Sequence, residues 1–405
     1  MRTVIRNGHI LDTSRMQFSD PVTLTIEDGL IAGLGDAASG DVEIDARGGF
    51  VMPGFIDAHI HFRLATLNFH VLTNWSEVEY GIAMPRLASD TLKRGFTTVR
   101  DLGGDIEGLK RAVDSGMIPG PRIIRAGRML SQTGGHGDIE GGDLSVPNCA
   151  CQMRHSAFGI VADGVEAVRK AARHNLREGS DFLKIVVSGG VATPRDPLDS
   201  IQYTPEEIRT AVTEASHRHT YVAAHAYSPE SIIMAVENGV HTIEHGNMLD
   251  DAAAKAMVKA GAIMVPTLST YEAMEEMGER LGLPKTNRDK NRLVLAAGEA
   301  SLEVARRNGV TMGWGTDLIG EAQPRQRREF ALRAQVESAE QILHSMYVVN
   351  PTICPSNVPI GTISPGAAGD IVISRVSPLE NIAALAEDDC LSHVIQAGRP
   401  VQIDN

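Results

Sequence analysis

The apolar run Pro53-Gly54-Phe55-Ile56-Asp57-Ala58-His59-Ile60-His61 ends in two histidines one residue apart. On a β-strand, residues two apart point to the same side, so both imidazoles can reach one divalent cation. Lys184 lies inside a second apolar run, Asp181-Phe182-Leu183-Lys184-Ile185-Val186-Val187, although lysine is almost never fully buried without a partner. Burial readily lowers the pKa of a lysine. An uncharged amine in a dry pocket can combine with carbon dioxide to give a carbamate, an anion able to bridge two metals. Three further donors close runs of the same kind: His225 after Val222-Ala223-Ala224, His245 after His241-Thr242-Ile243-Glu244, and Asp317 after Met312-Gly313-Trp314-Gly315-Thr316. Singly, each has a plainer reading as a packed histidine, a strand-end carboxylate or a lysine snorkelling to solvent. Six such residues, paired on one predicted strand or each on a different one, point to a ligand set at the face where barrel active sites lie.

The elements that must position them alternate. Strands are predicted over Phe55–His59, Thr97–Asp101, Arg122–Ala126, Phe182–Val187, Val222–Ala226, His241–Glu244, Ile263–Pro266 and Thr311–Gly315. They are short, apolar and β-branched, as strands buried on both faces should be. Helices lie between most of them. Thr204-Pro205-Glu206-Glu207 carries the signals of a capped helix start, and Ser228-Pro229-Glu230 starts another. Gly179, Gly239, Gly261 and Gly309 follow helical runs, where a left-handed residue is expected. Eight β-α units over residues 53–354 predict an α/β fold, a (β/α)8 TIM-like barrel whose active site lies at the C-terminal ends of its strands. A doubly wound sheet is the alternative, but it calls for no ligands at eight strand ends. Residues 1–52 and 355–405 read instead as short strands separated by turns such as Asn7-Gly8 and Asp28-Gly29. A small β-sandwich domain assembled from both chain ends is expected.

The chain has 405 residues, with 38 Lys and Arg against 51 Asp and Glu, a formal net charge of −13. Such a surface repels phosphate backbones and anionic lipid, which excludes nucleic-acid and membrane-surface binding as expected roles. No run approaches the roughly 20 apolar residues of a membrane span. Met1–Gly8 lacks the apolar core of a signal peptide. The four cysteines, Cys149, Cys151, Cys354 and Cys390, make neither a C-x-x-C motif nor a zinc ribbon. Reduced cysteines and a cytoplasmic location are expected. Gly33-Leu34-Gly35-Asp36-Ala37-Ala38 fits a dinucleotide fingerprint in letters only, since strand and turn signals surround it. His217 and His219 repeat the His-x-His spacing on a predicted helix, where residues two apart do not share a face.

With these residues in place, the sequence resembles the amidohydrolase superfamily: His59-x-His61 after the first strand, Lys184 after the fourth, His225 after the fifth, His245 after the sixth and Asp317 after the eighth. Thr97-Thr98-Val99-Arg100-Asp101, Gly134-Gly135-His136-Gly137-Asp138, Ser188-Gly189-Gly190-Val191, His225-Ala226-Tyr227 and Ile243-Glu244-His245-Gly246 are similar to the branch with imidazolonepropionase-like proteins and metal-dependent Xaa-Pro and Xaa-Arg dipeptidases. The resemblance implies two divalent metal ions. His59, His61 and Asp317 would hold the more buried one and His225 and His245 the other, with carboxylated Lys184 and a hydroxide bridging them. Zinc suits these donors; manganese and cobalt fit the same ligand types. Asp317 would move the proton from the nucleophile to the leaving amine, and His136 and Tyr227 would contact the substrate's carbonyl or carboxylate.

The implied activity is hydrolysis of the amide bond of a dipeptide or N-acyl amino acid, as in an Xaa-Pro or related dipeptidase. The same chemistry on a xenobiotic amide, carbamate or lactam is the alternative, and a binding protein that lost catalysis is a third reading. Lys184 argues against a one-metal imidazolonepropionase, and Tyr227 against a deaminase. A homo-oligomer is implied. Specificity is expected to reside in loops near residues 62–90, 130–160 and 268–292, where Glu272, Glu275 or Glu276 could face a cationic side chain, a pattern that a solvated helix explains equally well. The basic run Arg325–Arg328 reads as a solvated helix start.

Overall fold

The computed structural model describes residues 1–35, 38–72, 74–138 and 158–403. Cys149, Cys151, most of the predicted 130–160 loop, and Asp36 and Ala37 of the glycine-rich segment lie outside the described residues.

Both chain ends enter one eight-stranded sheet. The first strand, Arg2–Asp12, changes neighbour along its length. Thr3–Arg6 pairs in parallel with Val42–Asp45, whereas His9 and Ile10 pair with Phe50 and Val51. The switch falls at Asn7 and Gly8. Asn7 has φ 56°, and a Cβ on Gly8 would lie 2.5 Å from the Val51 side chain. The tail strand Ile371–Ser374 runs antiparallel to Phe50–Pro53 and joins the two ends of the chain. Ile5, Leu24, Ile26, Val51, Ile371 and Ile395 form the buried face of this sheet.

Between the ends the protein is mixed α/β with parallel strands. Phe55–Ile60, Phe96–Asp101 and Arg122–Arg125 form one three-stranded parallel sheet. The other runs in the order Gly159–Val161, Met129–Ser131, Leu183–Val186, Val222–Ala226, Thr242–His245, Ile263–Val265 and Thr311–Met312. All eight strands expected from the sequence are there. The additional Met129–Ser131 and Gly159–Val161 are three residues each, too short for a periodic signal.

Helix signals translate directly. Thr204 forms a reciprocal capping box with Glu207 at the start of Pro205–Ser216, and Ser228 caps Pro229–Glu237. Gly261 and Gly309 end their helices with φ 65° and 77°. His217 caps the end of its helix and His219 sits in the following turn, both exposed. No helix among the described residues is long and apolar enough to cross a membrane.

The two parallel sheets touch at two seams. At one, Asp181 N–H donates to Arg125 O at 2.8 Å. At the other, Ala58 N–H donates to Trp314 O at 3.0 Å and Asp317 N–H to His59 O at 2.7 Å. The chain beyond Met312 no longer forms a regular ladder, so side chains supply the missing partners. Buried Asn350 donates to Ile56 O and Trp314 O at 2.8 and 2.9 Å and accepts from Trp314 N–H at 2.9 Å. Buried Asp57 accepts from the Thr316 hydroxyl at 2.6 Å, the Gln326 amide at 2.8 Å, and the His59 and Thr316 N–H groups at 3.1 Å each. Leaving one buried polar group unpaired costs about 1–3 kcal/mol. Asn350→Ala removes the side-chain partner of Trp314 N–H and Ile56 O, while Trp314 O keeps the Ala58 N–H; it is expected to cost about 2 kcal/mol or more, seen in urea unfolding as a lower midpoint.

Candidate active site

Arg100 sits inside the fully buried strand Phe96–Asp101 and has no exposure to water. Its Nη2 donates to both carboxylate oxygens of Glu244, at 2.7 and 2.8 Å, and its Nε donates to Ala58 O at 2.6 Å. Glu244 also accepts from the Thr242 hydroxyl and lies 2.9 Å from His59 Nδ1. One ring nitrogen of His59 is thereby committed to the scaffold. Its Nε2 lies 3.4 Å from Asp317 Oδ1.

The other histidines are held in the same manner. His61 Nδ1 faces Gly103 O at 3.3 Å, which leaves Nε2, 3.4 Å from Asp317 Oδ1. His245 Nδ1 meets the Thr267 hydroxyl at 2.8 Å and leaves Nε2. His225 is reversed: its Nε2 faces Gly189 O at 3.0 Å, so Nδ1 is the free nitrogen. Such outer hydrogen bonds fix which nitrogen a metal would meet. His245 and Asp317 have φ 73° and 52°, a left-handed backbone rarely adopted by residues with a Cβ and often found at functional sites.

All eight residues singled out in the sequence line one cavity of about 620 Å³: His59, His61, His136, Lys184, His225, Tyr227, His245 and Asp317. His59, His245 and Asp317 bring ligand atoms within 4.8 Å of one another. His225 packs edge-on against His245 with ring centroids 4.7 Å apart. The Tyr227 hydroxyl is 2.8 Å from that of Tyr271, which also lines the cavity.

Burial governs the charges. It pushes His59, His225 and His245 well below the usual histidine range, and His61 down to about 3, with the nearby Lys184 charge also contributing at each. Burial lowers Lys184 to about 8, against the pull of Glu244. It raises Asp317 to about 8, opposed by Lys184. The cavity thus collects uncharged imidazoles with free lone pairs, an amine of weakened basicity and a carboxyl group of raised proton affinity. A divalent cation would satisfy this donor set, and its own charge would reverse the penalty on the carboxylate.

Arg100, Glu244, Thr267 and Tyr271 support the site without carrying a ligand or substrate motif in the sequence. A signal for Arg100 existed, because an arginine within an apolar strand poses the same question as Lys184. Glu272, Glu275 and Glu276 do not line the cavity; they pair with Arg328, Arg292 and Arg325. Arg327, within the basic run, is buried against Cys390. Removing one partner of a buried ion pair costs about 3–5 kcal/mol. Arg100→Met is expected to fall in that range by chemical denaturation. Arg292→Met, at an exposed pair, is expected to change stability by less than about 1 kcal/mol.

The model of the amidohydrolase family matches residues 50–401. A prolidase solved in complex with N-methylphosphonate-L-proline is 40% identical, covers 100% of both chains and superposes with a TM-score of 0.95. A Xaa-Pro dipeptidase with methionine bound in its active site is 27% identical over 99% of both chains, with a TM-score of 0.87. Ochratoxinase of Aspergillus niger is 29% identical over 361 residues, which are 86% of this chain and 75% of the relative.

Proposed function

The chain belongs to the amidohydrolase family and is a hydrolase acting on amide bonds; from that premise we propose that it is a two-metal dipeptidase or N-acyl amino acid hydrolase of the Xaa-Pro type. The observation that carries this reading is the convergence of His59, His61, Lys184, His225, His245 and Asp317 on one cavity beside His136 and Tyr227. His59, His61 and Asp317 would hold one ion and His225 and His245 the other, with Lys184, carboxylated by carbon dioxide, between them; zinc suits these donors. When bound, such ions supply an activated water and polarise the substrate carbonyl.

The chain's own groups do the rest. Asp317, which faces both His59 and His61 in the cavity, takes the proton of the attacking water and passes it to the leaving amine nitrogen. His136 and Tyr227 hold the substrate's carbonyl or carboxylate oxygens. The remaining wall includes Leu64, Phe69, Val191, Met274 and Ile319. That apolar lining, with the three glutamates already paired, supports an uncharged apolar side chain on the substrate rather than a basic one. The likeness to the two proline-directed enzymes points the same way. Another amide is the second reading, favoured by the likeness to ochratoxinase.

The proposed scaffold has two parts. Residues 53–354 form an eight-stranded barrel closed at the Asp181–Arg125 and Ala58–Trp314 seams. Residues 1–52 and 355–405 form the separate β-domain. Buried free thiols at Cys354 and Cys390 support a cytoplasmic location.

The test is turnover across Xaa-Pro, Xaa-Arg and N-acyl amino acid panels, with metal counted by mass spectrometry. Two ions per chain and a preference for apolar Xaa-Pro or N-acyl-proline are expected. Lys184→Met should retain no more than about one ion and lose at least about 100-fold in kcat/KM, since losing a ligand exceeds the 10- to 100-fold loss of an outer partner. No turnover on any amide by metal-replete enzyme would overturn the reading.

A further inference from the structure

The helix Lys285–Asn308 begins its buried face with polar residues. Asn287 and Asn291 are buried and Lys290 is largely so, ahead of buried Val294, Gly298 and Leu302. Positions 287, 290, 291 and 294 follow the three- and four-residue spacing of one helix face. An apolar stripe would be the ordinary solution for a packed helix. Here the polar groups grip backbone.

Lys290 Nζ donates to Gly190 O at 3.1 Å, to Thr193 O at 2.8 Å and to Asp196 O. It also lies 3.3 Å from the Asp196 carboxylate. Three carbonyls of one loop thus converge on an ammonium group that has three donors to give. Asn287 adds a bond to Val191 O at 2.7 Å, and Asn291 donates to Tyr271 O at 2.9 Å.

The gripped loop follows the strand Leu183–Val186 and meets His136 at its inner side. His136 Nδ1 is 2.7 Å from the Thr193 hydroxyl and 3.3 Å from the Asp196 carboxylate. The Thr193 hydroxyl hydrogen is given to Asp196. Its oxygen therefore accepts from His136, and Nδ1 is the ring nitrogen that carries hydrogen. Two flat surfaces fix the ring plane. His225 stacks on it with centroids 4.4 Å apart, and a Cβ on Gly190 would fall 2.0 Å from His136 Cε1. The backbone N–H of His136 is anchored on Gln202 at 2.9 Å. These constraints leave Nε2 as the ring nitrogen available to the cavity.

We propose that Lys290, Asp196 and Thr193 are positioning residues for substrate recognition: Lys290 sets the loop, and Asp196 and Thr193 set the tautomer and angle of His136. This rests on the reading of His136 as a substrate contact. None of the three lines the cavity, so they act through His136.

A double-mutant cycle tests it, run on metal-loaded enzyme with the best Xaa-Pro or N-acyl-proline substrate. Metal content, melting temperature, KM and kcat are read for each variant. Asp196→Asn, Lys290→Met and the near-isosteric Thr193→Val are each combined with His136→Asn. Misplacing a binding group by about 1 Å costs on the order of 100-fold. Each single change is expected to lower kcat/KM by about 10- to 100-fold with metal content retained. Each is expected to add almost nothing in the His136→Asn background, because the group it positions is already gone. Losses that multiply in that background overturn the proposal, as do losses that track metal content or unfolding. Thr193→Val keeps the test open if the charged variants fold poorly. If His136→Asn alone leaves kcat/KM unchanged, the assignment of His136 fails, while full activity of the parent enzyme would leave the amide-hydrolase reading standing.

Discussion

Arg100 carries a charge that water does not reach, and much of the site follows from how the fold answers it. Moving an ion into a protein interior costs several kcal/mol even after relaxation. Glu244 offsets that cost only by meeting the guanidinium with both oxygens, and the same carboxylate then faces His59 Nδ1. The network is a weak source of stability, because an apolar trio of similar volume would avoid the cost altogether. Its product is orientation. His59 cannot rotate without giving up its contact with a carboxylate that Arg100 and Thr242 hold in place, so its second nitrogen stays aimed at Asp317.

The same economy recurs around the cavity, with buried carboxylates receiving backbone N–H groups where strands give way to loops. Asp57 holds Thr316, Asp101 receives Phe62 and Gly103, and Glu329 receives Leu268 and Ser269. Burial raises Asp57 to about 6, and Asp101 and Glu329 to about 7, against hydrogen bonds that favour the charged form. These loops cannot satisfy their own backbone, and a short acidic side chain from a neighbouring element completes the pairing. The segments that carry Leu64 and Ile319 to the cavity are thereby fixed to the strands rather than left to their own propensity.

Much of this was legible in the sequence because strand ends are sharply marked. An apolar β-branched run that stops at His59-x-His61, Lys184, His225 or His245 reports both the element and the side chain it presents. Capping signals at Thr204 and Ser228 were equally local. What stayed hidden depends on contacts between distant segments. That both chain ends share a β-domain is readable from their strand and turn pattern, but their union in a single sheet rests on the pairing of Ile371–Ser374 with Phe50–Pro53, about 320 residues apart in sequence. The role of Glu244 arises only where three strands meet, and those of Asp196 and Lys290 only where two loops and a helix meet. Of the two readings open for Glu272, Glu275 and Glu276, the solvated helix holds: they pair with arginines across helix surfaces, and composition does not announce which arginines.

The left-handed backbone at His245 has a further meaning. Consecutive residues of a strand ordinarily look in opposite directions. Glu244 touches His59 from below, at 2.9 Å, and the next residue, His245, brings its ring within 4.8 Å of that same imidazole. One strand terminus therefore delivers two successive side chains to the same target by abandoning its own alternation at the final residue. Supporting layer and reactive layer are written in adjacent codons, so a single-residue insertion or deletion there would dismantle both at once.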